Sequence, residues 1–256
     1  MVSARATLGR LSCDYEILVV NDGSRDHTGE ILTELEQLLP ELRVIHHSTN
    51  RGYGAALRTG FAAATKDLVF YTDGDAQFDP REITRLVDAF DDGDGDGVDY
   101  VTGYRLRRAD PFLRITLGRP YHWAIRQAFG LKMRDVDCDF RLFRRNILQQ
   151  VETTESNGSF CFELLKKLKD RGFRFSEVPV SHHPRVYGRS QYYTPRRVVR
   201  AYFQLFELWV ELVIRKSHLG SPDRPTADRV VETQQSAAGS QQPVVGGRSL
   251  SLDLPE

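Results

Sequence analysis

The feature that most constrains the fold is a regular alternation of short apolar runs with amphipathic segments between residues 15 and 103. Four runs resemble buried strands, at residues 16–20, 43–47, 67–71 and 99–103. Apolar residues recur at helical spacing between them, and Asp79 followed by Pro80 has the pattern of a helix start. The alternation predicts an α/β fold in which helices flank a mostly parallel sheet.

Polar loops follow the first three predicted strands. They read Asn-Asp-Gly-Ser at residues 21–24, Asn-Arg-Gly-Tyr-Gly at 50–54 and Asp-Gly-Asp at 73–75. Ligands of parallel sheets bind where strands end at their carboxyl termini, so we expect the three loops to line one crevice. The second loop does not have the glycine spacing of a dinucleotide fingerprint, which argues against a dehydrogenase.

The loop after the third strand has the oxygen donors of a site for a hard cation. Asp73 and Asp75 stand two residues apart directly after a buried strand, and Gln77 offers a third oxygen. Mg²⁺ or Mn²⁺ suits such ligands, and a cation beside a diphosphate neutralises the charge of a departing nucleotide. A solvated turn is the alternative, which the position after the strand disfavours.

Further charged residues recur at short spacing in the second half of the chain. Asp135, Asp137 and Asp139 alternate, and an extended segment would place them on one side, where repulsion makes one a candidate for a raised pKa. Arginines between residues 105 and 119 form a basic run that either binds phosphate or is a solvated face. Residues 182–191 resemble a flexible loop with cationic groups.

Composition excludes several classes of protein. The 35 basic and 35 acidic residues cancel, so charge does not suggest a nucleic-acid partner. Three cysteines without paired spacing indicate a reducing compartment, and neither a secretory signal nor a membrane-spanning run is visible. The pattern of polar and apolar residues at 198–216 predicts an amphipathic helix. We expect this helix to lie on a membrane surface, and packing on the domain core or in a dimer interface is the alternative. Residues 217–256 have the composition of a disordered tail.

Taken together, these motifs resemble the family 2 glycosyltransferases of the GT-A fold, and among them the polyprenol-phosphate group that includes dolichol-phosphate mannose synthase. The resemblance covers residues 15–215, with a catalytic domain at 12–197. It rests on the order and spacing of Glu-Ile-Leu-Val-Val-Asn-Asp-Gly-Ser, the 50–54 loop, Asp-Gly-Asp-Ala-Gln, Thr-Gly-Tyr-Arg, and the segments at 135–142, 177–180 and 185–191. It implies a Rossmann-like sheet and transfer of a sugar from a nucleotide-sugar donor.

The resemblance also assigns roles to individual residues. The nucleotide-sugar would contact Asp22, Asn50, Gly52, Asp73, Arg105, Arg114 and Arg119. Asp73, Asp75 and Gln77 would hold Mg²⁺ or Mn²⁺. The acceptor side would use Asp135, Asp137 or Asp139, and Arg185, Arg189 and Ser190 would close over the site. The segment at 138–141 reads Cys-Asp-Phe-Arg, where the group often has Ser-Gly-Phe-Arg. The resemblance therefore does not identify which residue would act as the catalytic base.

We therefore predict a metal-dependent inverting transfer of a hexose from a nucleoside-diphosphate sugar to a polyprenyl phosphate. The alternatives are transfer to a sugar hydroxyl and an inactive nucleotide-binding scaffold. The protein is expected in the cytoplasm, with peripheral contact to the cytoplasmic face of a membrane. The family's opening strand has no counterpart before residue 12, so we also expect an N-terminally shortened, weakly active form with an open edge on the first strand.

Overall fold

The computed structural model describes residues 2–11, 13–91, 97–106, 123–184 and 195–220. The strands are β1 (Ile17–Asn21), β2 (Leu42–His46), β3 (Leu68–Thr72), β4 (Tyr100–Arg105), β5 (Phe140–Arg144) and β6 (Phe175–Val180). The helices are α1 (Val2–Leu8), α2 (Thr28–Leu38), α3 (Tyr53–Ala63), α4 (Ile83–Asp91), α5 (residues 123–129), α6 (Arg145–Gln149), α7 (Phe160–Asp170) and α8 (Pro195–Trp209). The predicted α/β class is confirmed, and β1 to β4 lie within two residues of their predicted bounds.

The strands form two sheets. β1 and β2 pair in parallel, and the second sheet has the order β3-β5-β4-β6. Strand β4 runs parallel to β6, whereas β5 runs antiparallel to both β3 and β4. The antiparallel direction of β5 differs from the mostly parallel sheet that the alternation of strands and helices predicts. Strand β5 begins beside the carboxyl end of β3, where Phe140 pairs with Thr72, and runs in the opposite direction along β3.

Helix α3 covers both sheets. Its Gly60 approaches Val20 of β1, and its Phe61 ring packs edge-on against Tyr71 of β3. The residues of β1 before Asn21 are only half-buried. In the described part of the chain β2 is the only strand that pairs with β1.

The start of α4 is built as the sequence predicts. Asp79 accepts a hydrogen bond from the backbone N–H of Arg81 at 3.0 Å, and Pro80 opens a 3₁₀ turn that leads into the helix. A capping carboxylate satisfies a donor that a helix start otherwise leaves unpaired. The turn therefore fixes where the chain leaves the Asp-Gly-Asp loop.

A buried guanidinium joins the strands of the second sheet. Arg141 of β5 is fully buried and donates from Nε to the hydroxyl of Thr102 on β4 at 3.1 Å. Its other nitrogens donate to the hydroxyl of Tyr71 on β3 and to the carbonyl of Val136. Asp139 lies 3.5 Å from the guanidinium and supplies the opposite charge. Arg141 thus connects three strands and the loop before β5 at one point.

Helix α8 packs one face on this core and leaves another in solvent. Leu205 and Leu208 are buried, and Trp209 donates from its indole nitrogen to the carbonyl of Ala128 at 3.0 Å. The helix continues as a π-helix over Val210–Arg215. The predicted helix at 198–216 is therefore present. Every helix in the described ranges is too short or too polar to cross a bilayer.

The described residues include regular secondary structure slightly beyond residue 217, where the tail is predicted to start. Ser217–Leu219 form a 3₁₀ turn, and His218 bonds to the carboxylate of Asp170 at 2.8 Å. This buried contact keeps the turn on the end of α7. Residues 221–256, where the disordered tail is predicted, lie outside the described residues.

We expect Arg141→Met to lower the free energy of unfolding by about 3–5 kcal/mol, because it leaves Asp139 without its buried counter-charge. Urea denaturation at neutral pH measures the change. Arg144→Met, on the exposed end of the same strand, is the control and should cost less than about 1 kcal/mol. Equal losses in the two variants would show that the buried guanidinium has no special role.

Candidate active site

The loop after β1 is bound to the loop after β2 through the Asp22 carboxylate. Its Oδ1 accepts a hydrogen bond from the backbone N–H of Arg51 at 2.8 Å and lies 2.7 Å from Nδ1 of His47. Its Oδ2 accepts from the N–H of Gly52 at 2.8 Å. Burial would raise the pKa of Asp22, but these hydrogen bonds outweigh it and hold the pKa below its usual value. The carboxylate predicted to contact a nucleoside thus shapes the loop that would do so.

Two glycines allow the backbones in this region to approach closely. Gly23 has a φ of +68°, and a Cβ there would lie 2.5 Å from the backbone nitrogen of Asn50. Gly52 has a φ of +97°, and its Cβ would lie 2.2 Å from the carbonyl oxygen of Ser156. Both positions need a residue without a side chain. The 50–54 loop is therefore held between the β1 loop and residues 154–156.

Residues 154–156 are fixed by a buried carboxylate that sequence analysis did not identify. Glu163 of α7 accepts hydrogen bonds from the backbone N–H of Thr154 at 3.0 Å and of Glu155 at 2.8 Å. Arg58 of α3 donates to the hydroxyl of Ser156 at 3.0 Å. An acidic residue inside the apolar stretch Phe-Cys-Phe-Glu-Leu-Leu was the available signal, since a buried charge requires partners.

The Asp-Gly-Asp loop leaves the carboxyl end of β3 as predicted. Asp75 Oδ1 accepts from the backbone N–H of Gln77 at 3.1 Å, and Ala76 between them has a φ of +59°. The Gln77 side chain donates to the carbonyl of His183 at 3.1 Å, and His183 N–H donates to the Gln77 carbonyl at 2.7 Å. These bonds tie the loop to the chain leaving β6.

The donor set of this loop fits a magnesium-type ion that shares its coordination with substrate. Asp73 and Asp75 are oxygen donors at a strand end, and Mg²⁺ usually takes one or two carboxylates plus phosphate and water. Within the described residues no cluster of three His, Cys, Asp or Glu side chains is placed to enclose a metal ion. The described residues around this loop therefore do not supply a complete set of metal ligands.

Arg105 and Asp135, both predicted to face substrate, bind each other. The guanidinium donates from Nε to Oδ2 at 2.6 Å and from Nη2 to Oδ1 at 2.7 Å, and both side chains are nearly buried. Burial alone would lower the pKa of Arg105, but the Asp135 carboxylate more than offsets this and raises it. The pair fixes the end of β4 to the loop before β5.

Residues 136 and 137 form a turn, so the extended segment that was expected to place the aspartates at 135, 137 and 139 on one side is absent. Asp139 Oδ1 accepts hydrogen bonds from the hydroxyl of Tyr71 at 3.2 Å and from the thiol of Cys161 at 3.3 Å. Burial raises the pKa of Asp139 against the opposing charge of Arg141. The expected raised pKa thus arises mainly from desolvation, and repulsion from Asp137 is a minor cause.

Several predicted residues lie outside the described part of the chain. These are Arg114, Arg119, Arg185, Arg189 and Ser190. Asn50 is described, and its side-chain amide donates to the carbonyl of Asp22 at 3.1 Å. The structure brings the first two loops together through Asp22. It links the third to the exit of β6 through Gln77.

Known proteins share both sequence and fold with this chain. An undecaprenyl-phosphate 4-deoxy-4-formamido-L-arabinose transferase of Klebsiella pneumoniae is 33% identical over 213 residues, covering 82% of this chain and 59% of that protein. The corresponding transferase of Yersinia enterocolitica is 34% identical over 184 residues, covering 71% of this chain and 54% of that protein. The chain thus spans less than two thirds of the length of these relatives.

The solved structures that match show the fold. Glucosyl-3-phosphoglycerate synthase from Mycobacterium tuberculosis, in complex with phosphoglyceric acid, superposes with a TM-score of 0.57 at 20% identity, covering 81% of this chain and 70% of that one. The same synthase with Mn²⁺, uridine-diphosphate-glucose and phosphoglyceric acid gives 0.54 at 20% identity, covering 80% and 69%. Residues 3–152 match the sequence profile described as glycosyl transferase family 2. Because that match covers more than half of the chain, the protein belongs to glycosyl transferase family 2.

Proposed function

We propose that this protein moves a hexose from a nucleoside-diphosphate sugar to a polyprenyl phosphate, with inversion and with the help of Mg²⁺ or Mn²⁺. The observation that carries the lipid-phosphate acceptor is the 33% identity, over 213 residues, to a transferase named for undecaprenyl phosphate. The sugar in that transferase's name is an arabinose derivative, a pentose, so the hexose is proposed on the resemblance to the hexosyltransferase group alone. An acceptor phosphate oxygen bonds to the anomeric carbon while the bond from that carbon to the diphosphate breaks. The nucleoside diphosphate then leaves.

The donor side of the reaction is supported by the first three loops. Asn50 is exposed on a loop whose backbone is already fixed by Asp22 and Gly52, so a nucleoside meets a preformed surface. Asp73, Asp75 and Gln77 would hold the metal ion. When bound, that ion neutralises charge on the departing diphosphate.

The acceptor side is supported by Asp139. A phosphate monoester has a second pKa of about 6, so it is largely ionised at neutral pH and needs positioning and screening more than a strong base. Tyr71 and Cys161 hold Asp139 at Oδ1, and the Arg141 guanidinium lies 3.5 Å from the same oxygen, so the carboxylate has a fixed position. Transfer to a sugar hydroxyl is the second candidate, because the raised pKa of Asp139 suits a general base.

The arginines of the acceptor side fall on segments beyond the described residues. Arg105 is paired with Asp135, so its guanidinium could bind a phosphate only while it also binds the Asp135 carboxylate. His183 bonds to Gln77 of the Asp-Gly-Asp loop. Arg185, Arg189 and Ser190 remain proposed contacts that close over the site. Arg114 and Arg119 remain proposed phosphate contacts.

Contact with a membrane surface is supported by the outer face of α8. Val199, Tyr202, Phe203 and Phe206 are exposed there, and Ile214 continues the face in the π-helix. Leu205, Leu208 and Leu212 on the opposite side are buried in the core. One helix thus has an anchored face and a separate apolar face, as in helices that lie in a bilayer interface. A polyprenyl acceptor would be met at that surface.

We expect transfer to be detected by mass spectrometry of lipids after incubation with a panel of nucleotide sugars, polyprenyl phosphate and Mn²⁺. Asp75→Asn should lower turnover at least about 100-fold, because it removes one charge from the metal site without changing its shape.

Asp79→Asn is the matched control, since that carboxylate belongs to the same loop but bonds to Arg81. It should keep turnover within a few-fold of the wild type. Wild-type turnover and unchanged Mn²⁺ dependence in Asp75→Asn would contradict the metal assignment.

We also expect the protein to float with vesicles of phosphatidylcholine and phosphatidylglycerol. Phe203→Ser combined with Phe206→Ser should weaken vesicle binding at least about tenfold, because two exposed aromatic anchors are lost.

Leu38→Ser provides the control, since Leu38 is 73% exposed on α2 at a distance in sequence from α8. Its binding should match the wild type. A folded wild-type protein that stays in solution, or equal loss in both variants, would refute the membrane face.

A further inference from the structure

The hydroxyl of Tyr53 is buried beside the candidate site and has no hydrogen-bond partner of normal geometry among the described residues. Tyr53 is the first residue of α3 and follows Gly52 directly, so its backbone belongs to the loop held by Asp22. Its ring packs on the main apolar cluster. A buried hydroxyl without a partner is unfavourable, because its lost hydrogen bonds to water are not replaced, so this group is expected to have a partner in the working enzyme.

The surroundings of this hydroxyl are acidic. Its nearest charged neighbours include Asp139 and Asp73, and the thiol of Cys161 and hydroxyl of Tyr71 complete the environment. Burial, followed by these negative neighbours, raises the pKa of Tyr53 far above its usual value. The group therefore stays protonated and acts as a donor. Among carboxylates near it, Asp139 is close enough for the hydroxyl to lower its pKa.

We propose that Tyr53 is a positioning residue of the transfer reaction, which donates to Asp139 and so links the donor-binding loop to the acceptor-side carboxylate. The inference rests on the proposed function. Tyr71 and Cys161 hold Oδ1 of Asp139 from β3 and α7, and Tyr53 adds a constraint from α3. A donor seated on the 50–54 loop would thereby help to fix the carboxylate that faces the acceptor.

The test is Tyr53→Phe, which removes the hydroxyl and keeps the ring. We expect kcat for sugar transfer to fall about 10- to 100-fold while the donor KM changes less than about threefold, because orientation is lost and donor contacts are kept. Tyr100→Phe is the matched control. Its hydroxyl is also buried without a partner among the described residues, but Tyr100 begins β4, at the opposite end of that strand from Arg105.

A pH profile separates positioning from packing. Charged and titratable groups that face Asp139 are Tyr53 of α3, Tyr71 of β3, Arg141 of β5, Cys161 of α7 and Asp137 of its own loop. Loss of the Tyr53 donor removes an influence that lowers the pKa of Asp139. The acidic limb of kcat should therefore move to higher pH in Tyr53→Phe and stay in place in Tyr100→Phe.

Failure of the proposed function is distinguishable from failure of this inference. If the wild type transfers no sugar, the function is wrong, and a ¹³C titration of the Asp139 carboxyl still decides the role of Tyr53. A higher Asp139 pKa in Tyr53→Phe alone supports the contact. If the wild type is active, an unchanged kcat and pH profile in Tyr53→Phe overturns the inference. An unchanged Asp139 titration overturns it in either case.

Discussion

The buried guanidinium of Arg141 is the interaction on which the rest of the site depends. It reaches β3 through Tyr71, β4 through Thr102 and the loop before β5 through Val136. A fully buried charge is tolerated only when it is paired and hydrogen-bonded, and Asp139 supplies the counter-charge. The same guanidinium therefore joins the strands and positions Asp139, the carboxylate that we propose lies on the acceptor side. A change that disturbs the sheet here also disturbs the chemistry.

Two further carboxylates shape the loops from within. Asp22 and Glu163 each accept hydrogen bonds from backbone N–H groups of a neighbouring loop, and these two loops then press on each other at Gly52. Loops without regular structure normally leave backbone donors to water. Here side chains take that role, so the surface that we propose for the sugar donor is already formed without a ligand. Preformed surfaces reduce the entropy that binding must remove.

Local sequence patterns predict most of the secondary structure. Contacts between residues far apart in sequence determine the parts of the fold that these patterns do not predict. The first four strands, the Asp79 cap and the C-terminal helix depend on neighbours within a few residues, and the structure has them. The antiparallel course of β5 and the pair of Arg105 with Asp135 join residues 30 or more apart, which no local pattern encodes. The extended segment expected at residues 135–139 is interrupted by a turn at residues 136 and 137, which the alternation of aspartates does not encode. Arg141 stands in the apolar run Phe-Arg-Leu-Phe, and a charged residue in such a run indicates a buried charge that requires partners. Our prediction from the sequence did not use this feature.

The central claim is that a phosphate oxygen of a polyprenyl phosphate takes the sugar with inversion at the anomeric carbon. Phosphorus-31 and proton NMR of one reaction mixture, with the donor identified by mass spectrometry, test it most directly. The account predicts that the phosphomonoester signal gives way to a phosphodiester, that nucleoside diphosphate accumulates in equal amount, and that the product has the opposite anomeric configuration to the donor. A retained configuration, or donor consumption with an unchanged phosphomonoester signal, would contradict it.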